Sequence, residues 1–236
     1  DLETLLAPLG ISGFSGKNVK MDAEISGPDV QPTVKAVLYA SHLAYQDFMI
    51  GDLKGTVGFA DGRVNISSLD LQNNESKISL TGSVQVLEGK NRQPVADPGI
   101  DLALTADPVF LQDFVSGISG QLKIAGAING SIGHPTGAIT LDGENFDLGG
   151  QIFSAVRLAT RIDDRKIFIE PLAISIGPDQ NLRAQGWVSL DQAYELDIDS
   201  DPISIKAISQ LADSEFAGKI KLSARGAGRF SDPQLE

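Results

Sequence analysis

Chemistry in a protein needs groups that move protons, attack electrophiles or hold metals, and this chain is poor in all three. It has 2 His and no Cys. Without Cys there is no disulfide, no thiol nucleophile and no zinc–thiolate site. The two histidines, His42 and His134, have no Ser–His–acid or metal-ligand spacing around them. His134 precedes Pro135 in a turn where a later, matching stretch has Asp232, so it is expected to be solvated. Asp142, Glu144 and Asp147 crowd one turn, but their spacing does not fit an EF-hand loop. The expectation is a non-enzyme with no catalytic residues, no metal and no cofactor.

Charge narrows the partners. The net charge is −12. A nucleic-acid binder needs a basic field to neutralise phosphates, so no nucleic-acid partner is expected. The same charge disfavours surface docking onto an anionic membrane. No apolar run approaches the roughly 20 residues that span a bilayer.

What the chain does have is repetition, and repeats decide the architecture first. Phe14-Ser15-Gly16-Lys17-Asn18-Val19-Lys20-Met21 leads to Pro32. Ile118-Ser119-Gly120-Gln121-Leu122-Lys123-Ile124 leads to Pro135. Phe216-Ala217-Gly218-Lys219-Ile220-Lys221-Leu222 leads to Pro233. The phase persists beyond each Pro. Leu43 matches Phe146, Asp61-Gly62-Arg63 matches Asp164-Arg165-Lys166, Leu69 and Leu71 match Leu172 and Ile174, and Gly82 matches Gly186. The spacing predicts a connector and short helix over 1–15, a first repeat over 16–106, a second over 107–200, and a short helix with a truncated third repeat over 201–236. A repeat stopped so early is expected to belong to a longer protein.

Within each repeat apolar and polar residues alternate with period two, the mark of half-buried strands. Val19, Met21, Ala23 and Ile25 oppose Lys20, Asp22 and Glu24. Val156, Leu158 and Ile162 oppose Arg157 and Arg161. Asp61-Gly62 reads as a two-residue hairpin turn. A break in phase at Ser67-Ser68 predicts a bulge. Glu88 to Gly99 reads as a loop. Helices are expected only as short pieces: Leu2 to Leu9, with Leu2, Leu5, Leu6 and Leu9 on one face, and starts at Asp107-Pro108 and Asp201-Pro202. Trp187 falls on a polar face by register and is expected to pack beneath a short helix or a loop; contact with a neighbouring repeat or protein is the other reading.

One-faced strands in this number point to antiparallel meanders. Their apolar face either folds onto another sheet as a dry core or stays open as a trough. Patterning alone favours the dry core, because most one-faced sheets bury that face on themselves. The residues that form the face, in either case, are Leu53, Val57, Phe59, Val64, Ile66, Leu69, Leu71, Ile78, Leu80 and Val84 in the first repeat. In the second they are Val156, Leu158, Ile162, Ile167, Ile169, Leu172, Ile174, Leu182, Val188, Leu190, Leu196 and Ile198.

The repeated openings, with Gly120-Gln121-Leu122-Lys123-Ile124, Gly130-Ser131-Ile132-Gly133-His134-Pro135 and Gly137-Ala138-Ile139-Thr140-Leu141, resemble the AsmA-like superfamily of bacterial envelope proteins, and its TamB-like members in particular. The first copy departs from that pattern, having an extra Pro at Pro28 and no Gly after Pro32. The resemblance implies a mainly β fold whose repeated antiparallel meanders curl into an elongated groove (a β-taco), with two or three short helices. It implies periplasmic, bridge-like lipid transport, with phospholipid acyl chains held by the faces named above and carried between inner and outer membranes. It further implies an inner-membrane anchor in the full-length protein, membrane contact through parts outside this stretch, and a link to an outer-membrane assembly partner of the BamA type. The alternative is a structural scaffold with a dry β core, serving outer-membrane protein assembly.

Overall fold

The computed structural model describes residues 13–28, 31–46, 48–89, 93–230 and 232–235. The chain divides into two compact units, Asp1–Val109 with Asn129–Ile132, and Phe110–Ile128 with Gly133–Glu236. The helix expected over Leu2 to Leu9 lies outside the described residues.

The first unit is an antiparallel meander. Its long strands are β1 (Phe14–Ser26), β2 (Thr33–Tyr45), β3 (Phe48–Ala60), β4 (Arg63–Asn73) and β5 (Ser76–Gln85). After a small two-stranded ribbon, β6 (Leu87–Glu88) with β7 (Gln93–Pro94), β8 (Gly99–Phe110) pairs with β5. The stretch expected as a plain loop therefore carries this ribbon.

The second unit continues the same plan. Its strands are β9 (Ile118–Ser131), β10 (Pro135–Leu148), β11 (Gln151–Asp163), β12 (Lys166–Gly177), β13 (Gln180–Ser189) and β14 (Ala193–Ser200). A two-stranded bridge of β15 (Ile203–Ser204) and β16 (Lys219–Ile220) follows. Then come β17 (Ser223–Arg229), paired to β14, and β18 (Asp232–Leu235). In both units successive strands are neighbours, and among the described residues neither unit closes into a barrel.

The turns show why the meander forms. Ala60 pairs with Arg63 across Asp61 and Gly62, whose φ values of 51° and 75° are those of a tight hairpin turn that needs residues tolerant of positive φ. Asp164 takes φ 48° at the matching β11–β12 turn. The bulge expected at Ser67-Ser68 is present: β3–β4 pairing slips between Val57↔Ile66 and Thr56↔Ser68. The same slip recurs at Glu170-Pro171, between Ile169 and Leu172 of β12. The repeat thus holds its phase down to the position of its irregularities.

The helix starts are corrected. Asp107 and Pro108 lie inside β8, joined by a cis peptide. A residue before Pro is pushed toward extended backbone, and here that preference wins over capping. Helix follows only as one 3-10 turn, Leu111–Asp113. Asp201 does not cap a helix either. Its carboxylate accepts bonds from Arg183 and Asn181, and the chain then makes two more single 3-10 turns, Ile205–Ala207 and Ser209–Leu211.

Candidate functional site: the apolar sheet faces

Strand register brings the expected residues together in rows. In the first unit one row runs Ala40, Leu53, Leu71, Ile78, Ala106. The next runs Leu38, Gly55, Leu69, Leu80, Leu104. A third runs Ala36, Val57, Ile66, Gly82, Leu102, and a fourth Val34, Phe59, Val64, Val84, Ile100. All ten residues named from the sequence lie in these four rows. The second unit repeats them: Gly143, Val156, Ile174, Leu182; Leu141, Leu158, Leu172, Ala184, Ile198; Ile139, Thr160, Ile169, Gly186, Leu196; and Gly137, Ile162, Ile167, Val188, Tyr194.

Leu190 is the exception. It sits in the turn after β13, 58% exposed, its N–H donating to the Arg165 carbonyl. Alternation in the sequence runs one residue past the last paired position, so period alone placed it on the face. Conversely, the rows recruit Val34, Leu38, Ile100, Leu102, Leu104, Ile139 and Leu141, whose own alternation was signal enough.

Exposure is the decisive property. None of the face residues named from the sequence is buried; apart from Leu190, all are half-buried. Only eight apolar side chains are buried among the described residues: Ala36, Ala40, Leu43, Ala106, Val109, Leu122, Phe146 and Tyr194. Three are alanines shaded by larger neighbours. Phe146 lies so close over Gly120 and Gly143 that a Cβ on Gly143 would stand 2.4 Å from its ring and 2.7 Å from Leu122.

The opposite face is wet and self-paired. Arg161 contacts Asp163 at 3.1 Å and Glu170 at 3.2 Å. Arg225 contacts Asp197 at 2.5 Å, and Arg183 contacts Asp201 at 3.0 Å. These pairs are exposed, so each contributes little to stability. A depression of ≈ 690 Å³ on this face is walled by Pro171, Arg183, Gln185, Asp197, Asp199 and Arg225, with both arginines already committed to carboxylates. Asp201 is held down to about 2 by the hydrogen bonds from Arg183 and Asn181.

Trp187 lies on the polar face, where the register put it, and pairs across the sheet with Phe168. Lys166 Nζ stands 4.2 Å from the ring, and the indole N–H donates to Glu195 at 3.2 Å. Phe168, its cross-strand partner, is capped the same way by Arg161 at 4.1 Å. A cation over an aromatic ring is a favourable cover on a wet surface. His134 is exposed, Nδ1 2.8 Å from Asp164. Asp142 faces Arg157 at 3.7 Å, and Asp147 accepts the Gly150 N–H at 2.7 Å. The three acidic residues expected to crowd one turn lie instead along strand β10.

No protein-family model matches the chain, and neither a curated protein nor a solved structure does.

Proposed function

We propose that the chain is part of a periplasmic conduit for lipid, its apolar sheet faces curled into a groove that holds phospholipid acyl chains between inner and outer membranes. The observation that carries the reading is the exposure of the lining: the residues named from the sequence are half-buried, with Leu190 exposed, and none of them is buried. Dry cores bury such residues. A soluble protein keeps so much aliphatic surface open when the surface has an occupant. An acyl chain suits it, because each buried CH₂ contributes about 0.8 kcal/mol with no directional demand. The rows hold mostly aliphatic residues and glycines, with Phe59, Thr160 and Tyr194 the exceptions, so a chain can slide along them while breaking few hydrogen bonds. The resemblance to TamB-like chains motivates the compartment, an inner-membrane anchor elsewhere in the full-length protein, and a BamA-type assembly partner. Among the described residues no helix is long and apolar enough to cross a membrane.

The test is native mass spectrometry of the purified protein with lipid extraction of the same sample. Phospholipid that co-purifies, and is lost in L172D and L182D variants that keep their strand signal by circular dichroism, supports the conduit. A lipid-free mass, with both variants unfolded, moves the assignment to a dry-cored scaffold in outer-membrane protein assembly.

A further inference from the structure

From β9 to β14, successive strands of the second unit are joined by turns of two or three residues. The connection from β14 to β17 instead runs over 201–222. Its base is fixed. Asp201 accepts bonds from Arg183 and Asn181, Ile203 pairs with Ile220, and Ser204 pairs with Lys219. The Ser204 N–H also donates to Gln180 Oε1 at 2.7 Å. A loop closed at its neck in this way is an Ω-loop, a surface device often tied to function. Residues 205–217 form its tip.

One side chain holds that tip to the sheet. Gln151, the first residue of β11, donates from Nε2 to the Ala207 carbonyl at 3.3 Å and accepts from the Ser209 N–H at 2.8 Å. Among the described residues no other hydrogen bond or ion pair joins 205–217 to the strands of the sheet. Other bonds of the tip are internal: Lys206 Nζ donates to the Ala212 and Ser214 carbonyls, and Ser214 Oγ to the Leu211 carbonyl. None of residues 205–217 is buried. A segment with so little buried surface and its own internal bonds opens at low cost.

The latch stands on the apolar side of the sheet. Gly143 lies in the lining row beside Val156, and a Cβ there would strike the Phe146 ring. Phe146 pairs with Phe153. Gln151 is two residues from Phe153 on the same strand and so shares its side. Ile205, Ala207 and Ile208 are half-buried, while Lys206, Ser209 and Gln210 are exposed. The tip thus turns its apolar side inward, at the end of the face where the rows finish with Val156, Ile174 and Leu182.

We propose that residues 205–217 are a flap over this end of the apolar face, latched by Gln151, which opens to admit an acyl chain. The inference rests on the lipid reading and adds the step that limits loading, as lid opening limits turnover in many enzymes.

The test follows loading of the whole chain with a phosphatidylethanolamine that carries an NBD-labelled acyl chain, by stopped-flow fluorescence. The chain has no Cys, so a Q151C/S209C variant can be locked at the latch alone, by oxidation or with a short bismaleimide. The locked form is expected to load at least ten-fold more slowly than its unlocked, reduced form. Q151A should load faster than the native chain, with quicker hydrogen exchange at 205–217 and unchanged exchange at Ile167–Ile176. Equal loading of locked and unlocked forms, or unchanged exchange at 205–217 in Q151A, would overturn the flap while leaving the lipid reading standing. A probe that binds no form of the chain would overturn both.

Discussion

Gly82 and Gly186 stand at one repeat position and adopt one backbone, with φ of 137° and 142°. A Cβ on either would lie 2.0 Å from a carbonyl oxygen of the next strand, Asp101 and Glu195 respectively. Each sits opposite the residue that precedes the bulge, Ile66 and Ile169. That the two glycines match was legible in the sequence. That they are forced was not, because the colliding atom belongs to a strand whose register the sequence does not give. G186A should cost about 3 kcal/mol through the strained φ and the clash, read from the urea midpoint with Trp187 fluorescence as probe. G149A, at φ 59° with no atom within 4 Å of its Cβ, should cost only about 1 kcal/mol. Asp201 supplies a pH effect. Its carboxyl is held down to about 2 from an ordinary 3.8, so the folded state binds that proton less readily than the unfolded state. The stabilisation is present above pH 3.8 and is lost as pH falls toward 2. D201N should flatten this part of the stability profile in acid denaturation while leaving the neutral-to-basic part unchanged in shape.

At the scale of the element, period two carried most of the information. It placed the strands, their apolar faces and the bulge at Ser67-Ser68, because each is a statement about alternation and its interruption. It failed where alternation outlasts the ladder, at Leu190, and where a local signal has two meanings, as at Asp107-Pro108. It also could not say what lies above a face. The buried spots are set by close approach: Leu43 and Phe146 occupy the same repeat position, each one residue after a left-handed residue, His42 at φ 53° and Asn145 at φ 56°. This separates two substitutions of similar size. F146A should cost about 3–5 kcal/mol, as a buried aromatic does. L172N, on the half-buried face, should cost about 1 kcal/mol or less. Equal and large losses in chemical denaturation would mean that the face is covered and dry.

At the scale of the whole molecule, the sequence carried the plan of repeats and the sorting of residues into a greasy and a wet face, since both follow from spacing and polarity. It left open whether the greasy face is covered, because coverage depends on contacts between distant segments. Half-burial of the named lining residues, in an otherwise self-paired, acidic molecule, is the basis of the lipid proposal. The most direct measurement places a photoreactive amino acid at Ile174, in the middle of a lining row, and irradiates living cells that express the protein. The account predicts a crosslink to phospholipid that disappears when L172D and L182D are added to the same chain. A protein that crosslinks only to itself or to another polypeptide, and that purifies free of lipid, would contradict it.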